Sequence, residues 1–245
     1  MVRFIISALF AIVDLTLSIP LYLITCLIGL FSPEIKEKIA MGFLHFSFKA
    51  LVLIAGTRVK FIGEENIPKD RAVLYVGNHR SYFDVIIPGT KLTYPSTFVA
   101  KKEFNKIPLL NMWMKSIHCL MLDRSDVKEG LKMVLTAIQY VKDGRSVFVF
   151  PEGTRNKTDD LLLPFKEGAM KISTKSGCPI VPVAITNSAD VFEAHFPKIK
   201  KTDVTVHYGD PIYPDTLSKE ELRFIGNTVA SAIETMLKED ASVAG

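Results

Sequence analysis

The stretch of sequence that decides the fold runs from Ala72 to Asp84 and reads AVLYVGNHRSYFD. Residues 72–76 form an apolar run typical of a buried strand, and the apolar residues 85–87 lie just beyond the stretch. Between them, Ser81 and Asp84 have the Ser-x-x-Asp form of a helix N-terminus, in which the serine caps the helix. The pattern therefore places His79 where a strand ends and just before a helix begins.

His79 and Asp84 are five residues apart. On one continuous helix this separation is about 500°, which would leave the two side chains about 140° apart. If Ser81 is the cap, His79 instead lies in the loop, and a carboxylate in the first helical turn points back toward it. Such a carboxylate fixes the imidazole tautomer, so that the other ring nitrogen can take a proton from a hydroxyl. The alternative is an Asp84 that only caps its helix beside an ordinary loop histidine.

The composition indicates one globular domain with an apolar appendage. The chain has 245 residues, of which 48% are hydrophobic, enough to bury one sizeable core. A net charge of +4 without an aromatic-interleaved basic stripe does not predict nucleic acid as a partner. It suits an anionic membrane surface or a phosphorylated substrate. The three cysteines are few and widely spaced, so we expect neither disulfides nor a metal site, and a reducing compartment.

The first 55 residues are predicted to associate with a membrane. From Phe4 to Phe31 the only formal charge is Asp14, and a helix of this length would extend about 40 Å against a hydrocarbon core of about 30 Å. Residues 32–34 read as the capped start of a second helix, which becomes apolar toward Ala55. A cleaved signal peptide is disfavoured by the length of the run. A spanning helix and a hairpin embedded in one leaflet both fit.

The positive-inside tendency predicts a cytoplasmic globular domain, because basic residues flank the C-terminal side of this segment. These residues are Lys36, Lys38, Lys49, Arg58 and Lys60. We therefore predict a membrane-associating helical hairpin over residues 1–56, an α/β domain over residues 57–240 and a frayed tail over residues 241–245. The expected location is the inner, cytoplasmic membrane.

Beyond Gly56, short apolar runs alternate with amphipathic stretches, which predicts an α/β domain with a mixed or mostly parallel central sheet flanked by helices. The predicted strands are residues 58–62, 72–76, 97–100, 119–122, 146–150, 180–186 and 203–207. The predicted helices are residues 81–88, 108–115, 127–142, 166–176 and 218–238. Ligands of such sheets bind beyond the carboxyl ends of the strands. Pro182 predicts an edge strand or a bulge for the sixth strand.

A second constellation follows the predicted strand at residues 146–150 and reads Pro151-Glu152-Gly153-Thr154-Arg155. Backbone amides of such a tight loop can approach a ligand, and Arg155 offers a planar fork suited to a phosphate. A plain turn with a surface arginine is the alternative. Lys101 and Arg124 fall at two other predicted strand ends, although Lys-Lys-Glu at residues 101–103 is also typical of a solvated charge run.

Taken together, these residues resemble the glycerophospholipid acyltransferase family, most closely its bacterial 1-acyl-sn-glycerol-3-phosphate acyltransferases. The resemblance covers residues 72–185, with blocks in the expected order and spacing. The blocks are the H-x-x-x-x-D pattern of His79 and Asp84, residues 101–108, the F-P-E-G-T-R pattern of residues 150–155, and residues 181–183. One departure is Asn111, which stands where the second block commonly has glycine.

The resemblance implies that His79, oriented by Asp84, deprotonates the sn-2 hydroxyl of lysophosphatidate. The hydroxyl then attacks the thioester of acyl-CoA or acyl-carrier protein, which is a co-substrate, and no cofactor is implied. The implied substrate-binding residues are Lys101, Arg124, Glu152, Gly153, Thr154 and Arg155. Independently, the chain has no Gly-x-Ser-x-Gly motif and no cysteine obviously paired with a histidine, so direct transfer without an acyl-enzyme is expected.

Several alternatives to this function stay open. One is an acyltransferase for another acceptor, such as glycerol 3-phosphate, a lysophospholipid or a lyso-aminolipid. Another is a hydrolase of thioesters or lysolipids. A third is a membrane-anchored protein that binds lipid without catalysis. In each case membrane lipid is an expected partner, because the apolar segments would hold the site at the lipid surface.

Overall fold

The computed structural model describes residues 1–123 and 126–243 of the chain. Within these residues a seven-stranded sheet forms the centre, and every predicted strand is found within two residues of its predicted bounds. The strands are β1 (Arg58–Ile62), β2 (Leu74–Gly77), β3 (Ser96–Lys101), β4 (Leu120–Leu122), β5 (Ser146–Val149), β6 (Ile180–Thr186) and β7 (Asp203–Tyr208). The predicted α/β fold is confirmed.

The sheet is mixed, with the strand order β1-β7-β6-β2-β5-β3-β4. β6, β2, β5, β3 and β4 run in one direction as parallel neighbours. β7 pairs antiparallel with β6, and β1 pairs parallel with β7. Because β2 lies between β5 and β6, the loops that leave the carboxyl ends of these three strands meet at the middle of one sheet edge.

Helices cover both faces of the sheet. The described residues contain α1 (Val2–Leu17), α2 (Ile19–Gly29), α3 (Pro33–Ala55), α4 (Phe83–Gly89), α5 (Pro108–Ser116), α6 (Val127–Lys142), α7 (Met170–Ser176), α8 (Lys219–Arg223) and α9 (Ile225–Val243). One core contains buried residues of α6, α7 and α9, and the other contains Ala55 of α3 with Phe83 and Ile87 of α4. Two apolar layers therefore fix the sheet edge that carries His79.

The N-terminal apolar segment consists of three helices where two were predicted. α1 and α2 bend by 44° around Ser18, because Pro20 in the first turn of α2 has no N–H to continue the hydrogen-bond ladder of α1. α3 is long and apolar enough to cross a membrane, and α1 with α2 passes the same test if the bent pair is one span. Exposed apolar side chains on these helices include Leu9, Leu17, Leu30, Phe31, Phe46 and Leu53.

The three helices also pack on the α/β domain. The indole Nε1 of Trp113 donates a hydrogen bond to Ser18 Oγ at 2.8 Å, and Phe4 stacks on Phe192 with ring centroids 5.5 Å apart. Glu37 of α3 accepts hydrogen bonds from Arg145 at the start of β5, in a pair whose side chains are 6% and 15% exposed. These contacts fix the apolar helices relative to the sheet.

Of the two possibilities predicted for Pro182, the edge strand is wrong and the irregular pairing is found. Its strand, β6, has β2 on one side and β7 on the other, so it is not an edge strand. The Pro182 carbonyl accepts a hydrogen bond from the Gly209 N–H at 2.9 Å, and both backbone groups of a strand residue point the same way. The missing N–H therefore faces the antiparallel partner between the pair of Val183 with Tyr208 and the bridge of Ile180 with Ile212, where the partner has one extra residue. Proline is tolerated because the regular ladder is interrupted there.

The predicted helices differ from the observed ones mainly at their ends. The helix predicted at residues 218–238 is divided near Phe224 into α8 and α9. α9 continues to Val243, so residues 241–243, predicted as part of a frayed tail, are helical, and residues 244 and 245 lie outside the described residues. Residues 167–169 form a 3₁₀ turn ahead of α7.

Candidate active site

The loop after β2 is held in place by a fully buried asparagine. Asn78 Nδ2 donates a hydrogen bond to the Ile185 carbonyl at 3.0 Å, and its Oδ1 accepts one from the Ile185 N–H at 2.8 Å. This pair of bonds ties the end of β2 to β6. His79 follows immediately and lies in the loop before α4, as the capping pattern predicts.

His79 and Asp84 are in hydrogen-bond contact, with 2.9 Å between His79 Nδ1 and Asp84 Oδ2. Asp84 is fully buried, and the same oxygen accepts the backbone N–H groups of Arg80 and Ser81 at 2.6 Å each. α4 begins at Phe83, two residues later than the Ser81 start predicted from the sequence, and Ser81 Oγ accepts the Phe83 N–H at 3.0 Å. The expected return of the carboxylate toward the histidine is therefore present.

These contacts define the tautomer of His79. Asp84 Oδ2 already accepts two backbone N–H groups, so it is also the acceptor in its contact with the imidazole. Nδ1 of the neutral imidazole therefore donates to Asp84, and Nε2 carries the lone pair. The ring stacks on Phe150, with centroids 4.4 Å apart and planes 24° apart. Packing and hydrogen bonding thus hold the imidazole in one orientation, as a general base requires.

Glu152 positions the histidine. It is 4% exposed, and its Oε1 accepts the His79 backbone N–H at 2.6 Å while Oε2 accepts the Leu163 N–H at 2.8 Å. Burial raises the pKa of this carboxyl group. Both oxygens thus support the histidine loop through backbone groups, and the direct substrate contact of Glu152 stays a prediction.

The loop that follows β5 is a tight turn. Gly153 has a φ of +72°, and a Cβ at this position would lie 2.7 Å from Lys166 Cε. Glycine is therefore favoured by the positive φ, whereas the flexible end of the Lys166 side chain could move aside. Thr154 is exposed, and the Asn156 N–H donates to the His79 carbonyl at 2.6 Å. This loop and the histidine loop are thus directly joined.

Arg155 lies beside the dyad in a defined orientation. Its guanidinium is 3.9 Å from the centre of the Tyr82 ring, and its Nη1 donates to Glu193 Oε1 at 2.8 Å. A cleft of about 550 Å³ adjoins these residues. Its cationic lining residues are Arg80, Arg155 and Lys157, and its aromatic ones are Tyr82, Phe192 and Phe196. Asp159 and Glu193 also line it, so the cleft combines a small excess of positive charge with apolar surface.

Lys101 does not line this cleft. It ends β3, two strands away from β2, and its half-exposed side chain pairs with Glu103 at 2.9 Å. The ion pair fits the solvated charge run that the sequence left open as the alternative, and the substrate contact of Lys101 stays a prediction. Arg124 lies outside the described residues, so its predicted substrate contact stays a prediction.

Sequence reasoning missed the residues that hold the site together, namely Asn78 as a β2–β6 bridge, Asn156 and Glu193. Asn78 bonds to a residue 107 positions away, and Glu193 bonds to one 112 positions away. No local pattern marks such partners. For Asn78, its place directly after a strand and next to the histidine was the one available signal.

Comparison with known proteins gives consistent matches. The acyltransferase family model matches residues 58–186. The 1-acyl-sn-glycerol-3-phosphate acyltransferase of Saccharomyces cerevisiae is 30% identical over 78% of this chain and 64% of its own length. The probable 1-acyl-sn-glycerol-3-phosphate acyltransferase of Mycoplasma pneumoniae is 28% identical over 88% of each chain. The crystal structure of PlsC from Thermotoga maritima, a 1-acyl-sn-glycerophosphate (LPA) acyltransferase, matches with a TM-score of 0.74 and 26% identity over 97% of each chain.

The extent of these matches differs between relatives. This chain spans 64% of the yeast protein and 57% of the Borreliella burgdorferi 1-acyl-sn-glycerol-3-phosphate acyltransferase, to which it is 32% identical. The family model covers the whole segment that carries His79, Asp84 and Arg155. The chain belongs to the acyltransferase family.

Proposed function

We propose that the protein transfers an acyl group from an acyl thioester to the sn-2 hydroxyl of 1-acyl-glycerol 3-phosphate, giving phosphatidate. The observation that carries the proposal is the buried contact between His79 Nδ1 and Asp84 Oδ2, which leaves the lone pair on Nε2. Arg80, the next residue of the same loop, lines the cleft that also contains Arg155. The names of the relatives support the choice of acceptor.

In the proposed reaction, His79 Nε2 takes the proton of the sn-2 hydroxyl while the hydroxyl oxygen attacks the thioester carbonyl. Asp84 stabilises the imidazolium that forms. The tetrahedral intermediate then collapses, its C–S bond breaks, and the departing thiolate takes the proton from the imidazolium. The products are phosphatidate and the free thiol of the donor, and His79 returns to its neutral form.

Two of the cysteines give further support to direct transfer without an acyl-enzyme. Burial raises the pKa of the Cys119 thiol to about 12 and also raises the pKa of Cys178. A thiol is a poor nucleophile until it ionises, so both are inert near neutral pH. Their inertness agrees with the proposal that the imidazole acts on the acceptor itself.

Arg155 is proposed to bind the acceptor phosphate, with the Gly153–Thr154 backbone close by. A dianionic phosphate is bound best by several charge-assisted hydrogen bonds. The guanidinium has five N–H donors, of which the bonds to Glu193 and to the Tyr82 hydroxyl use one each. Donors therefore remain for a phosphate, and Lys157 and Arg80 add positive charge to the same cleft.

We further propose that α1–α3 associate with the cytoplasmic membrane. Their exposed apolar side chains suit lipid, and their contacts with the α/β domain would keep the site close to the surface where lysolipid and product reside. Both acyl-CoA and acyl-carrier protein are chemically suitable donors, because each presents the same thioester.

The test is a panel of donors and acceptors with purified full-length protein in lipid bicelles. Acyl-CoA and acyl-carrier protein thioesters are each combined with lysophosphatidate, glycerol 3-phosphate, a lysophospholipid and a lyso-aminolipid. We expect phosphatidate from lysophosphatidate as the main product. Acylation of another acceptor alone would overturn the acceptor assignment, release of free fatty acid to water would indicate a hydrolase, and absence of turnover with every pair would overturn the enzyme assignment.

A further inference from the structure

Glu193 reaches the site from the chain segment after β6 and makes three hydrogen bonds there. Its Oε1 accepts the Tyr82 backbone N–H at 2.8 Å and the Arg155 Nη1–H at 2.8 Å. Its Oε2 accepts the Ser81 hydroxyl at 2.6 Å. One carboxylate thus joins the start of α4, the tight loop after β5 and the segment after β6.

The result is a guanidinium restrained on two sides. Tyr82 covers the face of the Arg155 guanidinium at 3.9 Å, and Glu193 holds its edge. Tyr82 is itself fixed by the bond from its backbone N–H to Glu193. A long arginine side chain otherwise samples many rotamers, and a ligand that must order it binds more weakly. Restraint of the planar guanidinium before binding therefore favours a ligand that accepts two parallel hydrogen bonds, such as a phosphate.

This arrangement differs from an ordinary surface ion pair. The pair of Arg58 and Asp203 on this protein is 69% and 64% exposed, and pairs of that kind contribute little to structure. The side chains of Arg155 and Glu193 are only 26% and 21% exposed. Glu193 in addition satisfies a backbone N–H at the start of α4, which a surface pair does not do.

We propose that Glu193 is a positioning residue for acceptor recognition, acting through Arg155 and not on the reacting atoms. This inference rests on the proposed function of the site. Its role is geometric, because glutamine at this position can keep all three contacts. The amide oxygen accepts from Tyr82 and Arg155, and the amide nitrogen donates to the Ser81 hydroxyl, which can also act as an acceptor. Alanine keeps none of them.

The test compares Glu193→Ala, Glu193→Gln and Glu193→Asp, with Asp190→Ala as a matched control. Asp190 is an exposed carboxylate in the same segment. KM values for lysophosphatidate and for the acyl thioester are measured separately in bicelles. We expect Glu193→Ala to raise the acceptor KM at least tenfold and to leave the thioester KM within threefold. Glu193→Gln restores the acceptor KM to within threefold of wild type, and Asp190→Ala does not change it.

Glu193→Asp keeps the charge but loses the reach to three donors, so we expect a raised acceptor KM. This variant carries the test if Glu193→Ala does not fold. An acceptor KM within threefold of wild type in both Glu193→Ala and Glu193→Asp would overturn the proposal. So would a Glu193→Gln variant as weak as the alanine variant, or equal increases in both KM values.

A binding measurement separates this inference from the proposed function. In a His79→Ala background, titration calorimetry with lysophosphatidate reports recognition without turnover. We expect Glu193→Ala to weaken this binding at least tenfold and Glu193→Gln to restore it. Wild-type protein that binds lysophosphatidate but does not acylate it would overturn the proposed function alone. Binding unaffected by Glu193→Ala would overturn the positioning role alone.

Discussion

Replacing Asp84 with asparagine keeps the shape of the side chain and removes its charge. In the wild-type protein, Asp84 Oδ2 accepts three hydrogen bonds, at 2.9 Å from His79 Nδ1 and at 2.6 Å from the N–H groups of Arg80 and Ser81. In the asparagine variant the amide oxygen takes the Oδ2 position, because both backbone N–H groups need an acceptor and an amide nitrogen accepts nothing. His79 Nδ1 contacts that same oxygen and keeps donating to it, while the amide nitrogen takes the Oδ1 position, for which the described residues offer no hydrogen-bond partner. The variant therefore keeps the tautomer and loses the negative charge that stabilises the imidazolium.

The expected loss comes from removing the charge of the acceptor. One charge-assisted hydrogen bond is worth about 1.5–3 kcal/mol, which is roughly 10- to 150-fold in rate. For Asp84→Asn we therefore expect kcat/KM to fall by roughly 10- to 150-fold. Stability should change by no more than about 1.5 kcal/mol, because both backbone donors keep an acceptor.

The assay follows thiol release from the acyl thioester with lysophosphatidate as acceptor, with urea unfolding measured on the same preparation. Asp84→Ala is the comparison variant, since it leaves buried donors unpaired at about 1–3 kcal/mol each and should lose stability as well as activity. A folded Asp84→Asn protein with kcat/KM within tenfold of wild type would refute the reasoning about the dyad.

Three further predictions test other parts of the site and fold. Arg155→Ala should raise the lysophosphatidate KM by roughly 10- to 150-fold through loss of a charge-assisted bond of about 1.5–3 kcal/mol, and equal increases in both substrate KM values would argue against phosphate binding. Because burial raises the pKa of Glu152 above its ordinary 4.5, the folded state binds its proton more tightly than the unfolded chain, and wild-type stability declines as pH rises above that value. We expect Glu152→Gln to have a lower free energy of unfolding than wild type in urea. The difference should shrink from pH 5 toward neutrality, and a constant or growing difference would contradict this. Glu37→Ala leaves Arg145 buried without its partner and should lose about 3–5 kcal/mol of unfolding free energy. The control Glu34→Ala, in an exposed pair of the same helix, should change stability little, and similar losses in the two would refute the role of the buried pair.

Much of the fold could be predicted from periodicity. The strands at residues 58–62 and 180–186 and the helix at residues 127–142 were predicted to the residue, because each is an unbroken pattern bounded by turn or capping residues. The contact between His79 and Asp84 could be predicted too, since both belong to one short capping pattern. Local chemistry determines these features.

Features that depend on distant partners could not be predicted. The position of Pro182 depends on where β7 ends, and the role of Glu193 depends on a segment more than 100 residues from Ser81. Glu152 was assigned to the substrate because its loop pattern suggested a phosphate. Its burial and its bond to the His79 backbone appear only when β2 and β5 pair. Sequence thus predicted the contact between the two proposed reacting residues, and the contacts that support them required the fold.

The central claim is that His79 is the base of a direct acyl transfer to lysophosphatidate. The most direct test measures phosphatidate formed from an acyl thioester and lysophosphatidate by wild-type protein and by His79→Ala, with lysophosphatidate binding measured on both. We expect wild-type protein to form phosphatidate, and His79→Ala to bind the acceptor within about threefold while turning over at least about 10³-fold more slowly. A His79→Ala protein that forms phosphatidate at near the wild-type rate, or a wild-type protein that forms none, would contradict the claim.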